Sequence, residues 1–340
     1  MCLCRVVSFV FRAGGLHMTF LLALLLAASP AVGDSVVTVG VTIPLENVKG
    51  RIDHLAFDPK RQRVYVAALG NNSLEIVDLR QGKWVGRIEE LHEPQGVAYV
   101  PYVDRIAVAN GGDGYCDFYD AGSLQALGHL KVGSDADNVR WDPKLNRVVV
   151  GFGEGGLALI DPRDMRELGR VPLPSHPEGF QLDPSGHIAF VNVPGTSEVL
   201  KVDLEARKVI RRWSTSPSGD NYPMAFDPAH GCVYVGCRTR TSLLALNADS
   251  GKLQARSGIA GDVDDVWYDV KTSRMYVSCG SGVLEIFGVV QGADFQHLED
   301  LKTGPGARTS LFVPERSEIV VAAPATETLP ARLLIYRIHP

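Results

Sequence analysis

The chain lacks a basic excess. Lys and Arg total 34 against 39 Asp and Glu, leaving a formal net charge of −5. Proteins that grip phosphate backbones need clustered positive charge, so nucleic acid is not an expected partner. A membrane-spanning run is also lacking: residues 20–28 read FLLALLLAA, too short to cross a bilayer as a helix. Cysteine is scarce and badly spaced for chemistry. Cys2 and Cys4 fall near the start, and Cys116, Cys232, Cys237 and Cys279 form no CxxC, CxxCH or zinc pattern. Cys232 and Cys237, five apart on one predicted strand, stand about 16 Å apart and cannot bridge each other. P-loop, HExxH, GxSxG and EF-hand spacings are missing as well. Gly151–Gly156 does match G-x-G-x-x-G, but a strand-like LALID follows where a dinucleotide site needs a helix.

What is present begins with the leader. Arg5 and Arg12 precede the apolar run, and small residues at Ser29, Ala31 and Gly33 follow it. That order describes a secretory signal peptide over 1–33, so residues 34–340 are expected as one exported domain, periplasmic or secreted. Gly at 35 and Pro at 20 imply many turns and short strands.

The dominant signal is repetition. FDPKRQRVYVA, YVPYVDRIAVA, WDPKLNRVVVG, LDPSGHIAFVN, FDPAHGCVYVG, YDVKTSRMYVS and FVPERSEIVVA are variants of one unit. Their anchors are Phe57, Tyr99, Trp141, Leu182, Phe226, Tyr268 and Phe312, separated by 42, 42, 41, 44, 42 and 44 residues. Nine positions after each anchor stands a valine: Val66, Val108, Val150, Val191, Val235, Val277 and Val321. The next position is always small. A period of 40–45 residues built from apolar strands predicts an all-β, seven-bladed propeller. Each repeat reads as four strands, A to D, and the corner after strand C carries Asp78, Asp120, Asp161, Asp203 or Asn247. The seventh repeat ends after its third strand, and VVTVGVTI at 36–43 stands alone ahead of the first. That segment is predicted to complete the last blade and remove a free edge.

The VYVA, VYVG and MYVS strands with their DP turns resemble YVTN-type β-propeller repeats across residues 36–338. This resemblance implies an exported propeller; looser relatives include seven-bladed lactonases and lyases.

Function should sit where the loops entering strand A and joining B to C meet around the axis. Four residues before the anchors stand Asp53, Gln95, Asp137, Glu178, Tyr222, Asp264 and Arg308; three before stand His54, Gly96, Asn138, Gly179, Pro223, Asp265 and Thr309. The core positions are uniform and these are not, which suggests an asymmetric ligand surface. The B–C loops add Asn71, Asn72, Asn110, Asp113, Glu154, Asn192, Arg238 and Arg240. Three chemistries stay open. Asp53, His54, Asp137, Glu178 and Asp264, with Asp265 and His176, offer ligands to a divalent cation, the candidate cofactor. His54 or His176 beside a carboxylate suits acid–base work in a lactonase or lyase. Arg238 and Arg308 suit capture of an anion. The expected activity is binding of a small molecule or protein partner at this polar face by a monomer; a passive interaction scaffold is the remaining alternative.

Overall fold

The computed structural model describes residues 35–340, and the leader expectation at 1–33 lies outside them. Residues Val36–Pro340 form one compact unit. Among the described residues, seven four-stranded antiparallel sheets make a seven-bladed propeller. Blades 1 to 6 occupy 55–88, 94–131, 139–172, 180–214, 219–258 and 263–302, each with strands A to D paired in sequence order.

Blade 7 differs as the sequence predicts. Thr309–Val313, Glu318–Ala323 and Arg332–Ile338 supply its first three strands, and Val37–Pro44 pairs antiparallel with Arg332–Ile338 as the fourth. We call Val37–Pro44 the closing strand. Val37 and Ile43 turn inward and are buried, so the strand is held by core packing as well as by its ladder.

The valine column explains the assembly. All seven valines are fully buried on strand B. Seven apolar clusters each join one blade to the next, the last joining blade 7 to blade 1. Both faces of each sheet are therefore covered, which is why strand B is apolar at consecutive positions instead of alternating. Cys237 lies in the cluster between blades 4 and 5, and Cys279 in the one between blades 5 and 6. They point the same way round the ring. Both are free and buried, as are Cys116 and Cys232.

The turn acids act locally. Asp58 Oδ1 accepts from the N–H groups of Lys60 and Arg61, and Asp227 Oδ1 from those of Ala229 and His230. At the C–D corners Asp78, Asp120 and Asn247 accept backbone N–H bonds in the same way. These residues set turns. Gly151–Gly156 is a tight B–C loop between strands Arg147–Phe152 and Gly156–Asp161, with no helix after it.

Candidate functional site

The axial funnel is assembled by one repeated piece of backbone. In blades 1, 3 and 4 the N–H four residues before the anchor donates to strand B: Asp53 to Ala67 O, Asp137 to Gly151 O and Glu178 to Asn192 O. The residue after it accepts in return, from Ala67, Gly151 and Asn192. Small side chains in that strand B column allow the exchange. Neighbouring blades lock together at the same level, where Gly179 N–H donates to Tyr222 O at 2.9 Å. A Cβ on Gly179 would come within 2.6 Å of that oxygen, and one on Gly96 within 2.1 Å of Asp137 O. Glycine there permits the close approach. Register shifts in strand A of blades 2, 5 and 6 fall in the same region.

This repeated geometry aims the variable column at the axis. Asp53, Gln95, Asp137, Glu178, Tyr222 and Asp264 all line one cavity of about 410 Å³. Arg308, the seventh member, stands 3.7 Å from Asp264 through its Nε. His54 and Arg238 also line the cavity. Asn138 and Asp265 line a second, much smaller cavity together with His54, Glu178, Tyr222, Asp264 and Arg140. There Asn138 Oδ1 accepts from Arg140 Nη2 at 3.2 Å.

Most of the B–C loop residues do other work. Asn71 bonds Ser73 Oγ, Asn72 accepts from Glu93 N–H, Asn192 donates to the carbonyls of Tyr222 and Pro223, and Glu154 accepts from Ser134 N–H. Asn110 donates to Asp117, and Asp113 accepts from Tyr115 N–H. These contacts brace the loops. Arg240 is exposed and does not line the cavity; of that group Arg238 does.

Sequence reasoning missed a second column. Arg51, Glu93 and Asp135 line the same cavity as His176, and Asp262 binds the arginines beside it. Each stands six residues before its anchor, two before the first column. Strand-like backbone returns a side chain to the same side every second residue, so the pair of columns shares the axis. The intervening position points into the blades: Ile52, Ala136, Asn221, Val263 and Ala307 are all buried. The signal was in the sequence, at a spacing of two.

The charges divide into three groups. On one wall Arg51 Nη2 donates to Asp53 Oδ2 at 2.8 Å, while His54 Nε2 is 3.8 Å from Asp53 Oδ1 and His54 Nδ1 3.7 Å from Asp265 Oδ1. Asp265 also accepts from Ser310 N–H at 2.7 Å. Burial pushes the Asp53 carboxyl up to about 7, against the pull of His54 and Arg51. Burial opposes charge on His54 too, but Asp265 and Asp53 outweigh it and raise the imidazole to about 10.

On a second wall Arg308 Nη1 donates to both oxygens of Asp262 at 2.9 and 3.0 Å. Arg238 binds Asp264 through Nη2 and lies 3.9 Å above the centre of the Tyr222 ring. Acid and base match closely here, so these arginines are already engaged.

The third group has carboxylates in excess. His176 Nε2 is 3.5 Å from Asp137 Oδ2 and 3.7 Å from Glu178 Oε1. One donor atom from each of the three lies within 4.8 Å of the others. On the far side of the ring, His176 Nδ1 is 3.5 Å from Asp135 Oδ2, and Asp135 accepts from Gln95 Nε2 at 2.7 Å. Burial would raise Asp137, but His176, His54 and Arg51 hold it below the usual range. Glu178 goes the other way: burial, then the charges of Asp137 and Asp264, push it well above the usual range. No arginine or lysine forms an ion pair with Glu178 among the described residues.

Comparison with known proteins adds the fold and nothing finer. No family model and no curated protein matches the sequence. A chain of Kuenenia stuttgartiensis hydrazine synthase superposes with a TM-score of 0.72 at 16% identity, over 81% of this chain and 94% of that one. A chain of the mitotic checkpoint complex superposes with a TM-score of 0.77 at 14% identity, over 96% of this chain and 100% of that one. At such identities the likeness establishes the propeller alone.

Proposed function

We propose that the axial funnel holds a divalent cation at Asp137, His176 and Glu178, and uses it to bind a small oxygen-bearing ligand. The observation that carries this reading is the meeting of those three donors beside a cavity of about 410 Å³. One imidazole with two carboxylates suits zinc, manganese or iron(II) better than an all-oxygen calcium site. A three-residue set leaves coordination positions free for the ligand. Asp135, itself bound by Gln95, stands where a carboxylate orients a ligating imidazole. A cation would also relieve the repulsion that Glu178 meets from Asp137 and Asp264.

Of the cation set offered by the sequence, Asp137, His176 and Glu178 belong to this cluster. Asp53, His54 and Asp264 form the facing walls. Those walls support a second reading, a metal-assisted lactonase or lyase: a carboxyl lifted to about 7, as Asp53 is, is matched to proton transfer near neutral pH. Export belongs to the same proposal and rests on the leader sequence, as kinship with YVTN-type repeats rests on the strand motifs.

The test is a thermal-shift and calorimetric screen of metal-free protein against manganese, zinc, calcium and magnesium. A hundredfold excess over Kd stabilises by about 2.7 kcal/mol, a shift of several degrees. The Asp137→Ala/Glu178→Ala variant should keep its fold and lose the response. If no cation shifts the wild type, or the variant responds equally, the cation site fails and the scaffold reading replaces it. Turnover of a lactone panel by the loaded protein, abolished by Asp53→Asn, would decide for catalysis.

A further inference from the structure

Directly opposite the buried valines, strand C carries Glu75, Asp117, Ala158, Leu200, Leu244 and Glu285 in blades 1 to 6. Their partners on the outer strand D are Arg87, His129, Arg170, Arg212, Arg256 and Asp300. Arginine or histidine holds this position in every one of these blades but the sixth. Blade 6 instead sets Asp300 against the buried Glu285, and like charges directly across a ladder repel.

Blade 1 has the same backbone arrangement with its charges balanced. Glu75 is fully buried; it accepts from Trp84 Nε1 at 2.7 Å and from Ser73 Oγ at 2.6 Å, and Arg87 Nε stands 3.2 Å away. Trp84 and Arg87 lie three residues apart on strand D, across a register shift. His297 and Asp300 occupy the matching positions of blade 6, across the same kind of shift. One donor atom from each of Glu285, His297 and Asp300 accordingly lies within 4.8 Å of the others. Two hydrogen-bond donors, one of them a cation, are replaced by an imidazole and a carboxylate. Glu285 is only 8% exposed. Its Oε2 accepts from Ala260 N–H at 2.7 Å and from the Cys279 thiol at 3.6 Å, while Oε1 has no hydrogen bond among the described residues. No lysine or arginine forms an ion pair with Glu285 or Asp300 among those residues. Burial, and then the charge of Asp300, raises the Glu285 carboxyl above its ordinary range.

We propose that Glu285, His297 and Asp300 form a copper(II) site on the rim of blade 6, separate from the funnel and independent of its reading. The cation does there what Arg87 does in blade 1, tying strand D to strand C. One imidazole nitrogen and two carboxylate oxygens from a single sheet face suit tetragonal coordination, with water completing the plane. The His297 and Asp300 side chains are 49% and 53% exposed, so an ion reaches them from solvent. A site this open holds divalent cations weakly, and copper(II) heads their affinity series. His297 Nε2 stands 2.6 Å from Asp300 Oδ1. Ligand atoms at about 2 Å from a metal lie about 3 Å apart, so these two part slightly to admit it. Outer partners already orient two of the ligands: Phe287 meets the His297 ring edge-on at 5.3 Å, and Ala260 and Cys279 hold Glu285 Oε2.

The test uses the full chain carrying Asp137→Ala/Glu178→Ala, so that a failure of the funnel reading and a failure of this one are seen separately. Copper(II) titration, followed by equilibrium dialysis and electron paramagnetic resonance, should show one copper per chain with a single imidazole nitrogen bound. Adding His297→Ala/Asp300→Ala should abolish that signal, and both side chains are exposed enough for the fold to survive their loss. Asp300→Arg recreates the blade 1 pairing. It should also abolish copper binding, and it should raise the melting temperature of the metal-free protein. The proposal is overturned if the starting chain binds no copper, or if copper stays bound after His297→Ala/Asp300→Ala or after Asp300→Arg. An Asp300→Arg chain whose metal-free melting temperature does not rise overturns it too, because Glu285 then lacks no cation.

Discussion

At the scale of single residues, the buried titratable groups give the sharpest expectations. Asp53 is buried and its carboxyl stands near 7 instead of its ordinary 3.8. Between those values the folded protein binds a proton at Asp53 that the unfolded chain has released, so this group's contribution to stability falls as pH rises through the window. His54, raised to about 10, acts in the same direction over a higher window: its stabilisation is full below its ordinary 6.5 and is lost as pH climbs towards 10. Asp53→Asn should therefore flatten the decline of melting temperature between about pH 4 and 7. A variant whose profile parallels the wild type would remove Asp53 from the account. The thiols make a second test. Burial raises all four described cysteines, Cys232 and Cys237 to about 12. Native protein lacking residues 1–33 should resist alkylation at pH 8, because thiolate and access are both lacking. Once denatured without reductant, it should take a label at every cysteine. A missing pair of labels would reveal a disulfide and a wrong strand register.

At the scale of elements, the closing strand decides whether the ring exists. It places Val37 and Ile43 in the clusters on either side of blade 7 and supplies an antiparallel ladder interrupted by one register shift between Val39 and Thr42. Deleting residues 36–43 should expose the edge of Arg332–Ile338 and both apolar clusters. Aggregation, or a large fall in melting temperature, is the expected result. Retention of a monomeric protein with unchanged melting temperature would contradict the closure. A single valine of the strand B column tests the same packing more gently. Val150→Ala, at a fully buried position, should cost roughly 2 kcal/mol through lost burial and a residual cavity, measured by denaturant midpoint.

At the scale of the whole molecule, the funnel gathers buried carboxylates at a cost in stability. Asp137 and Glu178 come from adjacent blades, 41 residues apart, yet offer donor atoms to the same point. Glu178 pays the larger electrostatic cost there, being raised by burial and by two neighbouring carboxylates. Glu178→Gln keeps the shape and removes the charge. It should raise the melting temperature of metal-free protein at pH 8 while abolishing its response to manganese or zinc. A destabilised variant would show that Glu178 serves packing instead.

The sequence by itself determined the ring. A valine recurring seven times at a fixed distance from an aromatic or leucine anchor requires seven equivalent strands buried on both faces. The missing fourth strand of the last repeat, with VVTVGVTI standing alone at the front, determined how the ring closes. It also marked the axial column, because Asp53, Gln95, Asp137, Glu178, Tyr222 and Asp264 vary where the core columns repeat. Only the tertiary structure decided how those side chains group. Arg238 and Arg308 are consumed by Asp262 and Asp264, whereas Asp137 and Glu178 share one histidine between them. The physical reason is that repeats fix backbone positions, while ion pairing depends on angstrom-scale distances between side chains of different blades. A period of about 42 residues places each of them on the axis. It carries no information about which neighbour each will reach.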